Sequence, residues 1–149
     1  MKVLFFKYLL LSVFVQSLFA QDTQIKYQDV SQKKMQEQNI EIAKLAAKEL
    51  SKNLPQKIDK YTTLNSIVND NSTLIYNFYI DDKLKSDDMI RNLDHSRMRQ
   101  AVVDGVCSTS KRFLKAGVNI SYIYMSSKSK TLLFRFDVTQ DKCNYSSQK

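Results

Sequence analysis

Glycine and proline are scarce in this sequence, which has two glycines and one proline among 149 residues. Loops that cradle phosphate groups need two or three clustered glycines, because only glycine lets the backbone approach the ligand closely enough. Gly105 and Gly117 stand twelve residues apart, so both common glycine-rich nucleotide loops are excluded. The same scarcity excludes a collagen-like chain and Pro/Gly-rich disorder.

Cysteine and histidine are also few, with two cysteines and one histidine. The absence of C-x-x-C pairs excludes the common zinc sites and disulfide-dense miniproteins. The spacing selects no nucleophile for His95, so we expect a surface histidine and no catalytic site. Asp81-Asp82 and Asp87-Asp88 lack the spacing and central glycine of a calcium loop, and they predict a solvated loop that caps a helix. We therefore expect no enzyme, no metal and no cofactor.

No apolar run in the sequence reaches the roughly 20 residues that span a bilayer. The run from Tyr8 to Ala20 has thirteen residues and follows Lys2 and Lys7, which is typical of a cleaved secretory signal over residues 1–20. A retained signal-anchor is the alternative. Gln21 stands where a bacterial lipoprotein has its lipidated cysteine. The sequence thus predicts an exported protein, periplasmic or secreted, that is not a lipoprotein.

The formal charge of the whole chain is +8, and it is +6 once residues 1–20, with two lysines and no acid, are removed. Such a charge favours anionic surfaces, including acidic proteins and peripheral contact with phospholipid headgroups. The basic residues are scattered and form no dense stripe, so nucleic acid is not an expected partner. A solvated basic surface without a specific ligand is the simpler alternative.

The remaining 129 residues, 21–149, contain no repeat and no linker, and we expect a single domain. Apolar residues at helical spacing predict a long helix over 31–52, capped by Asp29 or Ser31 and stopped before Pro55. The segments 61–68 and 73–80 alternate as strands around the turn residues 69–72.

A second helix is predicted over 87–103, and Gly105 is expected to end it. A short third helix should follow Cys107, with Ser108 or Ser110 as its cap and Gly117 just after its end. Two more alternating strands are predicted over 118–125 and 131–139. The predicted fold class is α+β: an antiparallel sheet of four strands, or slightly more, with helices packed on one face.

Cys107 and Cys143 are expected to form a disulfide, because an exported chain with two cysteines folds in an oxidising compartment. The predicted strands contain the aromatic residues Tyr76, Phe78, Tyr122, Tyr124, Phe134 and Phe136 among others, and tyrosine on a sheet is a frequent recognition surface. We expect Tyr76, Tyr122 and Tyr124 to contact a partner, although core packing is the default for most strand aromatics.

The order of these features resembles the small periplasmic pilotins of type II secretion. The matching pieces are the helix that ends in Asn53-Leu54-Pro55, the hairpin, and the segment from Cys107 through Gly117 to Tyr122, closed by Cys143. The resemblance covers about residues 42–143. It implies a disulfide between the last strand and the helical region, and a role in escorting secretin subunits to the outer membrane. Pilotins are lipoproteins, so Gln21 departs from their pattern.

The leading functional hypothesis is a non-enzymatic accessory factor that grips a segment of an envelope or secretion-system protein between sheet and helices. A periplasmic immunity protein or enzyme inhibitor is the second hypothesis, since such proteins are also small, exported and disulfide-bonded. A hydrolase, the third, would need His95 or the aspartates to converge in a cleft. The sequence does not determine the oligomeric state or the identity of the partner.

Overall fold

The structure is a computed structural model that describes the backbone of residues 20–145 and the side chains of residues 31–145. The described chain divides into two units between Glu37 and Gln38. The sheet and the candidate site belong to the second unit. The predicted signal segment, apart from Ala20, lies outside the described residues.

Helices and strands alternate in an α+β arrangement, as predicted. The helices are α1 (Ala20–Leu50), α2 (Asp87–Arg91), α3 (Ser96–Thr109), α4 (Lys111–Lys115) and a 3₁₀ helix (Gln140–Lys142). The strands are β1 (Gln56–Lys57), β2 (Thr62–Asp70), β3 (Thr73–Ile80), β4 (Asn119–Ser126) and β5 (Leu132–Val138). They form one five-stranded sheet in the order β1-β2-β3-β4-β5.

The sheet is mixed, which corrects the prediction of an antiparallel sheet. Three of the four strand pairs are antiparallel, but β3 and β4 run parallel, with Tyr76 opposite Tyr122 and Phe78 opposite Tyr124. The chain between these two strands, residues 81–118, carries helices α2, α3 and α4. A crossover of this length returns the chain to the same end of the sheet, and that return makes the next strand parallel.

Two helix boundaries differ from the prediction. Helix α1 already includes Ala20, so Asp29 and Ser31 lie inside it and neither caps it. Its sequence contains no glycine or proline and is rich in Gln, Lys, Glu and Ala, which propagate a helix well. The predicted second helix is interrupted by residues 92–95. There the Asp94 carboxylate accepts hydrogen bonds from the backbone N–H and the hydroxyl of Ser96, which start helix α3 anew.

The interruption shifts the following helices along the chain. Gly105 and Cys107 lie inside helix α3, so neither marks its boundary as expected. Gly117 does follow the end of helix α4, at a φ of +83° that suits glycine. The Sγ atoms of Cys107 and Cys143 form the predicted disulfide. It ties helix α3 to the segment after the 3₁₀ helix.

The core lies on one face of the sheet, named here the helical face. Strand register places the buried strand residues of the core on this face: Leu64, Ile67, Leu74, Phe78, Ile120, Tyr124, Phe136 and Val138. Four residues from the helices pack in the same cluster: Ala43, Ala47, Val106 and Leu114. Burial of this apolar surface is the main stabilising contribution to the fold.

Candidate functional site

An aromatic row crosses the middle of the helical face from β3 to β5. Its members are Tyr76, Phe78, Tyr122, Tyr124, Phe134 and Phe136. Neighbouring ring centroids lie 4.5 Å apart for Tyr124 and Phe134 and 4.7 Å apart for Phe78 and Tyr124, both stacked. Pairs at these distances contribute about 0.5–1.5 kcal/mol beyond their area burial, so the row also stiffens the sheet.

The three tyrosines expected to contact a partner all belong to this row. Tyr124 is buried, with 4% of its surface exposed. Tyr76 and Tyr122 are half-buried, and their ring centroids lie 5.0 Å apart. Burial, with the neighbouring Tyr122, raises the pKa of Tyr76 to about 12, and burial also raises the pKa of Tyr122 and of Tyr124. Tyr76 and Tyr122 are therefore the two predicted residues that keep surface for a partner.

An open cleft lies at the end of the aromatic row that contains Phe134. It encloses about 470 Å³ between the β1–β2 connection, the end of β3, and helices α2 and α3. The aromatic and aliphatic side chains that line it are Tyr61, Ile80, Ile90, Leu93, Met98 and Phe134. Leu93 and Met98 leave 47% and 37% of their surfaces exposed. The cleft therefore presents apolar surface that the described residues do not cover.

His95 lies half-buried in this cleft, not on the open surface where the sequence placed it. Its ring stacks on Phe134 with 3.9 Å between centroids. Its Nε2 lies 3.0 Å from the carbonyl oxygen of Ile90, an acceptor, so Nε2 must carry a hydrogen. The imidazole thus joins helices α2 and α3 to the aromatic row.

Polar contacts hold helix α2 as one wall of the cleft. The Arg91 guanidinium donates from Nε to the carbonyl of Leu132 at 3.1 Å and from Nη2 to the hydroxyl of Thr131 at 2.7 Å. The Ser129 hydroxyl donates to the carboxylate of Asp87 at 2.5 Å, and this hydrogen bond is the main reason that the pKa of Asp87 is lowered. The paired aspartates thus act in local hydrogen bonds, and Ser86, rather than either aspartate, caps the helix through its side chain.

The remaining lining of the cleft is polar, with Asp59, Lys60, Thr62, Asp82 and Lys85 at its edges. In the described part of the chain, no three His, Cys, Asp or Glu side chains are grouped so that they could hold a metal ion. Within the same residues, no helix combines the length and the hydropathy of a membrane span. Apolar lining with a charged edge is the arrangement that binds a complementary apolar segment.

Sequence reasoning missed the cleft because its residues come from four separate segments. In the sequence, Leu93 and Met98 occupy positions that are typical of the buried face of one continuous helix. The signal that could have identified them is Asp94, whose short side chain interrupts helices by bonding to nearby backbone N–H groups. That interruption turns Leu93 and Met98 outward on either side of His95.

Comparison with known proteins gives one family and several solved structures. Residues 37–134 match the family described as "Domain of unknown function (DUF8479)". No curated protein matches the chain. A Pseudomonas aeruginosa protein described as secreted has a TM-score of 0.66 at 17% identity, with 74% of this chain and 96% of that one covered.

Two type II secretion pilotins are also similar in structure. EpsS of Vibrio vulnificus has a TM-score of 0.61 at 16% identity, with 74% of this chain and 96% of EpsS covered. AspS of Vibrio cholerae has a TM-score of 0.59 at 16% identity, with 76% of this chain and 99% of AspS covered. The fold of this chain is pilotin-like, as its sequence suggested.

Proposed function

This chain belongs to the DUF8479 family, and we propose that it is an exported, non-enzymatic accessory protein of a bacterial secretion system or envelope assembly. In this role it holds an apolar segment of an envelope protein in the cleft between the sheet and helices α2 and α3. The N-terminal residues 1–20 act as a cleaved signal, and Gln21 leaves the mature protein without a lipid anchor.

The observation that carries the proposal is the exposed apolar surface of Leu93 and Met98 beside the ring of Phe134. Apolar side chains that stay open in a concave site gain free energy when a partner covers them, at about 25 cal/mol per Å² removed from water. The half-buried Tyr76 and Tyr122 continue this surface along the aromatic row. The pilotin-like fold supports the same role, since two of the similar structures are pilotins.

The test is site-specific photocrosslinking in cells that produce the full chain. A photoreactive residue at Met98 should crosslink to one defined envelope or secretion-system protein. Val68 is the matched control, because it is 45% exposed but lies on the opposite sheet face, paired with Ile75. The same crosslinks from both positions, or none from Met98, would refute the proposal.

The identity of the crosslinked protein separates the two functions that the sequence left open. A secretin or another assembly component supports the accessory role. A hydrolase or toxin captured at Met98 would instead make this chain an inhibitor or immunity protein. N-terminal sequencing of the exported protein tests the signal, and a mature chain that starts at Gln21 is expected.

A further inference from the structure

The cleft is lined by two carboxylates, Asp59 and Asp82, and two ammonium groups, Lys60 and Lys85. Asp59 is engaged within the chain: one of its carboxylate oxygens accepts hydrogen bonds from the backbone N–H groups of Tyr61 and Thr62, each at 2.8 Å. These bonds, that from Tyr61 first, hold the pKa of Asp59 below its usual value. This carboxylate therefore stabilises the conformation of the β1–β2 connection.

The second carboxylate of the cleft is engaged as well. Asp82 accepts a hydrogen bond from the backbone N–H of Leu84 at 2.9 Å. Its other oxygen lies 3.8 Å from the ammonium of Lys85, so Lys85 is the cation that this acid pairs with. Both acids therefore have polar partners within the chain.

Lys60 differs from these three side chains because its ammonium has no polar partner within residues 31–145. Its Nζ lies 5.1 Å from the centroid of the Tyr61 ring, and within residues 31–145 it makes no ion pair and no side-chain hydrogen bond. A cation over an aromatic face is held near the ring but keeps its donors free. The cleft thus combines an apolar floor with one ammonium at its edge whose hydrogen-bond donors are free.

We propose that the segment bound in the cleft carries an acidic residue beside its apolar anchors, and that this carboxylate pairs with Lys60. This inference rests on the proposed function and specifies its partner as an acidic apolar segment rather than a neutral or basic one. A carboxylate can accept a charge-assisted hydrogen bond from the ammonium, whereas a basic residue at that place is repelled. The pair lies at the rim, where charges select partners more than they add affinity.

The test is a displayed library of random peptides selected against the full chain. Peptides that bind the wild type but not the Met98→Asp variant are ligands of the cleft. Among these, Asp and Glu should be enriched next to the apolar anchors, and this enrichment should disappear with Lys60→Gln. Lys57→Gln is the matched control, because it removes the same charge from an exposed lysine that does not line the cleft.

A selected peptide is then titrated beside its Glu→Gln version. The Glu peptide should bind about 3-fold more tightly to the wild type, the size expected for an exposed ion pair, and equally to Lys60→Gln. Cleft binders without acidic enrichment would overturn this inference and leave the proposed function intact. The proposed function fails as well if no binder depends on Met98. It also fails if laurate, used as a fatty-acid probe, occupies the cleft and no peptide does.

Discussion

The imidazole of His95 stacks on the ring of Phe134, with 3.9 Å between the centroids and 29° between the ring planes. This contact is where the cleft meets the aromatic row, since Phe134 also stacks on Tyr124. His95 stands directly before helix α3 and reaches back to the Ile90 carbonyl of helix α2. One side chain therefore sets the spacing of two helices over the sheet.

His95→Ala should destabilise the protein by about 1–3 kcal/mol. The substitution removes the stacked contact and the hydrogen bond from Nε2 to the Ile90 carbonyl, which keeps the backbone N–H of Leu93 as a donor. The two losses together account for a cost of this size. His95→Phe keeps a ring over Phe134 but no donor, so its loss should be smaller. Urea denaturation measures both variants. Equal stability of His95→Ala and wild type would show that the stack does not hold the helices.

Substitution by alanine should change the stability of the protein in opposite directions at the two glycines. Gly117 has a φ of +83°, and a Cβ there would lie 2.6 Å from Nδ2 of Asn39. Gly117→Ala should therefore lower stability by about 1–2 kcal/mol through backbone strain. Gly105 lies inside helix α3 with nothing within 4 Å of an added Cβ, so Gly105→Ala should raise stability by about 0.5–1 kcal/mol.

Thermal or urea unfolding shows directly whether each alanine variant is more or less stable than the wild type. Asn39→Ala combined with Gly117→Ala removes the contact with the amide but not the strain. The double variant should consequently stay less stable than Asn39→Ala alone. Full recovery would mean that crowding, and not the left-handed backbone, makes glycine necessary at this position.

Loss of the Cys107–Cys143 disulfide should lower stability by about 4 kcal/mol, because a loop closed over a sequence separation of 36 restricts the unfolded chain. The comparison is between the wild type and the variant with both cysteines changed to serine, unfolded in urea. Dithiothreitol should lower the midpoint of the wild type and leave the variant unchanged. A variant as stable as the oxidised wild type would contradict this prediction.

Tyr76 should ionise at higher pH than an exposed tyrosine. Its pKa is raised from 10.0 to about 12 in the folded protein, so folding favours its neutral form. The stability linked to this residue is fully present below pH 10 and is lost as the pH rises through about 12. The ultraviolet absorbance of tyrosinate follows the titration.

Tyr76→Phe is the control for that titration. This variant should lack the late-titrating component and should lose less stability than the wild type between pH 10 and about 12. A tyrosinate signal that is complete near pH 10 in the wild type would show that the hydroxyl of Tyr76 is not in a desolvated site.

Much of the local structure could be predicted from the sequence. The hairpin was expected over 61–80 because alternating apolar residues flank turn-forming asparagines, and Asn71 does take a positive φ of 49° between β2 and β3. The helix C-cap at Gly117 and the disulfide were also predicted. Each of these features depends on residues close in sequence or on simple cysteine chemistry.

The cleft could not be predicted in the same way. Ile80, Leu93 and Phe134 are ordinary apolar residues of a strand, a helix end and another strand. Only their meeting at one end of the helical face, with His95 between them, makes a site. Burial is decided by which segments cover one another, and the apolar pattern of a single segment does not contain that information.

By itself the sequence determined the α+β class, the identity of four of the strands and the pairing of the cysteines, since local periodicity and composition encode these. The tertiary structure alone decided that β3 and β4 run parallel, because strands alternate with the same period in either direction. It also decided that Tyr124 is buried while Leu93 and Met98 stay open. The reason is that exposure depends on which long-range contacts cover a residue, and those form only when the crossover brings helices α2 and α3 onto the sheet.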